Sequence, residues 1–192
     1  MKNRTLRAAG IAAALLVSGG VAAHAAPLQA SVIPAAVQAG SLMVPTLADT
    51  MRGRPLEEQV AAYERVETDN QEQDCLASAV YFEARGESLE GQLAVAEVVM
   101  NRAASGRYPS TLCGVVEQPW QFSFVNATGR IPNANRDSAA WRRAVAIARI
   151  AQDGVSDRLT PDCLWYHADY VSPSWGRRLN RVTKIGLHIF YR

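Results

Sequence analysis

The chain is poor in histidine. Of its three histidines, only His167 and His188 lie beyond residue 25. It has no H-E-x-x-H and no paired C-x-x-C. A catalytic zinc usually takes three protein ligands, so His167, Asp169 and His188 would have to converge. Isolated histidines are more often packed in cores or strands, so neither a metal nor any other cofactor is expected. Strong charge of one sign is also missing, with 20 basic residues against 18 acidic ones. The apolar run Ala8 to Ala22 is broken by Ser18, Gly19 and Gly20. It falls short of the roughly 20 residues that a membrane-spanning helix needs. There is no internal repeat.

Lys2, Arg4 and Arg7 precede that run, and Ala23-His24-Ala25 follows it as an A-x-A cleavage site. Residues 1–25 therefore read as a signal peptide. The chain reads as exported to the periplasm or cell wall, with no stable membrane insertion after cleavage. No cysteine follows the run, which argues against a lipoprotein anchor. Cleavage removes three cations and leaves 17 basic against 18 acidic residues. Residues 26–73 carry three arginines and seven acids, whereas residues 74–192 carry 14 basic and 11 acidic residues. A mildly basic domain behind an acidic leader suits an anionic extracytoplasmic polymer, although ordinary charge scatter gives the same numbers. Nucleic acid is a poor partner for an exported chain. Cys75, Cys113 and Cys163 would all meet an oxidising compartment, which permits one bridge and one leftover thiol. Their spacing does not choose the pair.

Residues 26–50 are rich in Ala and Pro without helical or strand period, and read as a flexible leader. The acidic stretch 52–73 allows a short helix around Leu56 to Val66, outside the core. A compact domain is expected over residues 74–192. Asp74 is a plausible N-cap for a helix that stops at Gly86. Ser88 can cap a second helix, with Leu89, Leu93, Ala96, Met100 and Ala103 on one face, ending at Ser105-Gly106. A short helix from Thr111 to Val116 follows. Gln121-Phe122-Ser123-Phe124 alternates like a strand, and residues 125–135 read as a loop. Asp137 or Ser138 starts a third long helix that stops at Gly154. Leu164–Tyr170 and Lys184–Tyr191 are β-prone and could pair.

Glu83 is out of place in this pattern. Leu76, Ala79 and Val80 are spaced i, i+3, i+4 on one helix face, and Glu83 is the i+7 member. A carboxylate in an apolar stripe can be an ion pair with Arg85 or another base such as Arg102. It can equally be a frayed helix end or a catalytic acid. Apolar surroundings raise a carboxyl pKa, which is what a general acid acting on a glycosidic oxygen needs. A thiol mechanism is the competing chemistry. Asp74-Cys75 opens a helix whose dipole would favour the thiolate, and His167 or His188 could act as base. The exported Cys-His wall peptidases, however, carry small Ser-Gly after the nucleophile, where this chain has Leu-Ala.

Residues 75–102, CLASAVYFEARGESLEGQLAVAEVVMNR, resemble the cell wall hydrolase family named for the spore cortex-lytic enzyme SleB. The shared features are E-A-R-G-E, then G-Q-x-A-V-A-x-V and N-R. Further matches are Tyr108-Pro109, Gly114-Val115-Val116, Gln121-Phe122-Ser123, the run Tyr166 to Tyr170, and Gly186 to Tyr191. The resemblance covers nearly all of residues 74–192.

The resemblance implies an α+β fold, a mostly helical lysozyme-like domain with a small antiparallel sheet. It implies peptidoglycan as partner and the MurNAc–GlcNAc bond as target, with Glu83 as general acid; separately, a monomer is expected. In the family's lytic transglycosylases the sugar's own 6-hydroxyl closes on the anomeric carbon and leaves a 1,6-anhydro end. One carboxylate suffices there, whereas inverting and retaining hydrolases need two. Gly86 turns Glu87 away from Glu83, which fits a single acid. Candidate substrate-binding residues are Glu87, Gln92, Asn101, Gln121, Ser123, Tyr166, His167, Tyr170 and Trp175. Gln92 and Asn101 share one helix face, Gln121 and Ser123 one side of the expected strand, and the aromatic side chains can stack on pyranose rings. Each can also serve packing, and Glu87 can pair with Arg85 to hold the turn.

The chain also departs from the family. Many relatives carry an upstream wall-binding domain, for which residues 26–73 are too short and irregular. Trp120 and Val125 stand where many relatives have cysteines flanking Q-F-S-F. Cys75 and Cys113 are shared with many relatives, so the resemblance favours that pair and leaves Cys163 free. A Cys-His endopeptidase and a non-catalytic wall-binding protein remain the alternatives.

Overall fold

The structure, a computed structural model, describes residues 44–192. The expected signal peptide and most of the Ala/Pro-rich leader lie outside the described residues. The helices are α1 (Leu47–Met51), α2 (Leu56–Tyr63), α3 (Gln71–Ala84), α4 (Leu89–Ala104), α5 (Leu112–Val116) and α6 (Ala139–Asp153). The strands are β1 (Trp165–Ala168), β2 (Arg181–Ile185) and β3 (His188–Tyr191). The fold is α+β.

α3 is the axis. Leu76, Ala77, Ala79 and Val80 are all fully buried, because a helix that is apolar on several sides must be covered on all of them. Its cap is Asn70, whose side chain accepts from Gln73 N at 3.0 Å, rather than Asp74. The helix therefore starts a turn earlier than expected, and Asp74 is free to pair with Arg136 at 2.8 Å. The cap expected from sequence at Ser88 accepts from the main chain, as do Thr111, read as the first residue of its helix but standing as its cap, and Ser138 of the Asp137/Ser138 pair. Gly154 closes α6 in the left-handed region at φ 59°.

α2 does not lie outside the core. Leu56, Val60 and Tyr63 share one face, Val60 and Tyr63 are buried, and the Tyr63 hydroxyl donates to Asp153 at 3.0 Å. The leader expected to be irregular through residue 50 already holds a helical turn, α1, with a Thr46–Asp49 capping box.

The Cys75–Cys113 disulfide ties α3 to α5, while Cys163 is a free, buried thiol. α4 is shared between two cores. Leu93, Ala96 and Val99 join the helical one, whereas Ala94 and Val98 pack with Cys163 and Phe190 under the sheet.

The sheet is antiparallel in the order β1-β3-β2, with Trp165 opposite Tyr191 and Ala168 opposite His188. The β-prone run expected as one strand over 184–191 folds back on itself, because Gly186 takes φ 56° and makes a hairpin turn. Gln121 to Phe124 is not a strand. Gln121 N donates to Gln118 O and Val125 N to Phe122 O, each at 3.1 Å, so the segment is a pair of turns. Its alternation instead stacks Phe124 on both Phe82 and Phe122. No helix among the described residues is long and apolar enough to cross a membrane.

Candidate active site

The last turn of α3, the turns at 120–123, and strands β1 and β3 enclose a cleft of about 520 Å³. Glu83 opens into it and is the only carboxylate among the lining residues. Arg85 does not neutralise it, because that guanidinium lies over the Tyr81 ring, 4.9 Å from its centroid. Instead Tyr166 Oη donates to Glu83 Oε2 at 3.2 Å, and Ser123 Oγ reaches Oε1 at 3.5 Å. Burial pushes the Glu83 carboxyl above the ordinary value of 4.5, and the bonds from Tyr166 and Ser123 and the charge of Arg102 pull it partly back. The Tyr166 phenol is pushed well above its ordinary range by burial and by Glu83, so it remains a donor at working pH.

Arg102 was foreseen only as a possible neutralising partner. Only 4% exposed, it forms part of the cleft lining, and its Nε donates to Leu164 O at 2.8 Å. Its guanidinium lies over the Tyr108 and Phe122 rings at 5.2 and 5.4 Å, and its Nη1 has no hydrogen-bond partner. Burial lowers its pKa, yet an arginine stays charged. The cleft therefore holds one buried cation within electrostatic reach of one partly buried acid. The sole sequence signal for it was the N-R that ends the matched run.

Gln121, Ser123, Tyr166, His167, Tyr170 and Trp175, all candidate substrate-binding residues from sequence, also line the cleft. His167 Nδ1 faces Ala168 O at 2.8 Å, and a carbonyl can only accept, so that nitrogen carries the hydrogen. Its Nε2 meets the Tyr191 hydroxyl at 2.9 Å, and Trp175 lies edge-on at 5.5 Å. His188, considered from sequence only as a metal ligand or as the base of a thiol mechanism, also lines the cleft; burial keeps it below its ordinary pKa, and it lies edge-on to Tyr166 at 5.1 Å. Trp120, noted from sequence only as a departure from the family, lines the cleft as well. That residue is 82% exposed and Tyr170 is 81% exposed, so two large aromatic surfaces stand open to a ligand at the cleft.

Glu87, Gln92 and Asn101 do not reach the cleft. Glu87 Oε2 accepts from Leu187 N at 2.9 Å and thereby holds the β2–β3 turn. Gln92 is buried and donates to Glu87 O at 3.1 Å. Asn101 donates to Thr160 O and Cys163 O at 2.9 and 3.0 Å. Each thus holds main chain rather than facing the cleft, and the Gln92 Oε1 is buried without a hydrogen-bond partner. Cys75 is in the disulfide and has no thiolate to offer, which removes the nucleophile from a Cys-His mechanism. Asp169 pairs with Lys184 at 2.7 Å, and no group of three or more His, Cys, Asp or Glu among the described residues could hold a metal ion.

A family model described as Cell Wall Hydrolase matches residues 86–191. The spore cortex-lytic enzyme of Oceanobacillus iheyensis is 38% identical over 115 residues, 60% of this chain and 39% of the relative. The spore cortex-lytic enzyme of Bacillus subtilis is 36% identical over 115 residues, 60% of this chain and 35% of the relative. The chain thus spans less than half the length of the curated relatives it matches. Among solved structures, the catalytic domain of the germination-specific lytic transglycosylase SleB from Bacillus anthracis superposes with a TM-score of 0.51. That likeness is at 31% identity and covers 66% of this chain and 100% of that one.

Proposed function

The chain belongs to the cell wall hydrolase family, and on that premise we propose that it cleaves peptidoglycan glycan strands at the MurNAc–GlcNAc bond as a lytic transglycosylase. The observation that carries this reading is the solitary Glu83, a carboxyl whose pKa burial raises above the ordinary carboxylate value, in a cleft with no second carboxylate among its lining residues. Glu83 gives its proton to the glycosidic oxygen, the leaving sugar departs, and positive charge develops at the anomeric carbon. The carboxylate left behind is steadied by the Tyr166 and Ser123 hydroxyls and by Arg102. It then takes the proton of the 6-hydroxyl as that oxygen bonds to the anomeric carbon, closing a 1,6-anhydro ring and returning Glu83 to its starting form. No water is consumed and no enzymic nucleophile is required.

Trp120, Tyr170 and Trp175 offer ring faces for pyranose C–H surfaces, while Gln121 and Ser123 offer hydrogen bonds to hydroxyls. Export fits this substrate, with residues 1–25 as the signal that takes the chain to the periplasm or wall.

Digestion of purified sacculi followed by mass spectrometry tests the proposal. Products should carry anhydro ends, one water lighter than hydrolysed ends, and Glu83→Gln should release none. Release by Glu83→Gln at the wild-type rate would overturn the role of Glu83, and exclusively hydrolysed ends would overturn the transglycosylase assignment.

A further inference from the structure

Trp165 lines the Glu83 cleft and also lines a second depression of about 460 Å³. Around that second depression stand Arg107, Arg158 and Arg192, with Asp162 as the only acidic side chain. None of the three arginines is in an ion pair among the described residues. Two of them are braced by neighbours. Arg158 Nη2 donates to Asn101 Oδ1, and the Asn101 amide is itself anchored on Thr160 O and Cys163 O. The Arg107 guanidinium lies 6.0 Å from the Trp165 ring centroid. Side chains held in this way lose little rotamer freedom when a ligand arrives, unlike arginines extended into water.

A positively charged depression next to a glycan cleft calls for an anion. Sugar hydroxyls and acetamides are neutral and do not supply one. Peptidoglycan does, because every second sugar carries a lactyl-linked peptide with free carboxylates. Guanidinium forks match carboxylates, and an aromatic wall suits the apolar stretch of the peptide between them. Resting on the proposed glycan cleavage, we propose that Arg107, Arg158 and Arg192 form a subsite for the carboxylates of the stem peptide. The chain then selects peptide-bearing strands over stripped ones.

The experiment compares strands bearing intact peptides with the same strands after amidase treatment, using wild type and the double variant Arg107→Ala/Arg158→Ala. Wild type should favour peptide-bearing strands by about tenfold in kcat/KM, chiefly through KM, and high salt should erode the preference. The double variant should cut both substrates alike. Equal wild-type rates on the two substrates, or a preference that survives in the double variant, would overturn the subsite. Calorimetric titration with soluble disaccharide-tetrapeptide and with the peptide-free disaccharide reads the same selectivity without cleavage. Wild type should bind the peptide-bearing ligand about tenfold more tightly and the double variant should not. A wild type that cuts neither strand would instead count against glycan cleavage, and the titration would still decide the subsite.

Discussion

Tyr166 donates its hydroxyl to Glu83 Oε2 across 3.2 Å, and this bond partly offsets the burial that raises the carboxyl pKa. In the proposed mechanism the same carboxyl must be protonated in the first step and ionised in the second. Burial serves the first requirement, and the Tyr166 bond with the buried Arg102 cation serves the second. The cleft therefore balances two opposing demands on one group.

Tyr166→Phe removes a donor that favours the ionised form. The basic limb of the pH profile of kcat/KM, which follows loss of the Glu83 proton, should move to higher pH. At neutral pH the rate should fall about tenfold, since a hydrogen bond to a charged group is worth about 1.5 kcal/mol or more. Arg102→Met should move the limb in the same direction by removing the nearby positive charge. A limb that moves to lower pH in either variant would contradict this balance.

Stability should carry the same signature. Glu83 holds its proton to higher pH in the fold than at the ordinary value of 4.5 in the unfolded chain. Below 4.5 the group is neutral in both states and costs nothing. As pH rises through the folded value, the protein is destabilised relative to a variant that cannot ionise. Glu83→Gln should therefore melt above wild type at neutral pH, with the gap closing in acid. Thermal melts of both proteins across that range check the sign, and a wild type that melts higher at neutral pH would oppose it.

Local signals in the sequence were readable because they are satisfied locally. Ser88, Thr111 and Ser138 cap helices through bonds three residues away, and Gly154 closes α6 by its own backbone freedom. Glu83 was legible for a related reason, as a charge inside an apolar stripe. What the sequence hid depends on distant chain. Gln92 and Asn101 looked free for sugar hydroxyls, but Asn101 bonds to carbonyls about 60 residues away, at Thr160 and Cys163. The short apolar face of α2 sat inside an acidic stretch, and only the position of α6 makes Val60 and Tyr63 core residues. Gln121–Phe124 alternates as strands do, yet with no strand partner its backbone closes turns on itself.

Glu87 and Gly186 are coupled across the hairpin turn. A Cβ at Gly186 would come within 2.1 Å of Glu87 Oε2, and its φ of 56° already disfavours any other residue. Gly186→Ala should cost about 2–4 kcal/mol in denaturant melts, combining left-handed backbone strain with loss of the bond to Leu187 N. Adding Glu87→Ala should recover part of that cost, because the clash disappears with the carboxylate, so the two effects will not add. Glu87→Gln alone should keep cleavage of sacculi, in contrast to Glu83→Gln.

The Cys75–Cys113 bridge closes a segment of 38 residues, and loop-closure entropy assigns it about 4 kcal/mol. α5 has a second attachment to α3, since Glu72 Oε2 accepts from Leu112 N at 2.5 Å and Cys113 N at 3.4 Å. Loss of the bridge should therefore loosen α5 without releasing it. Cys75→Ala/Cys113→Ala should melt about 10 °C below wild type, at roughly 2–4 °C per kcal/mol for a chain of this size. Below that temperature it should still cut glycan strands, because Glu83 lies on the same helix two turns beyond Cys75 and uses neither sulfur. Loss of all cleavage in a double variant shown by circular dichroism to be folded would restore a thiol mechanism and displace the carboxylic acid from the centre of the chemistry.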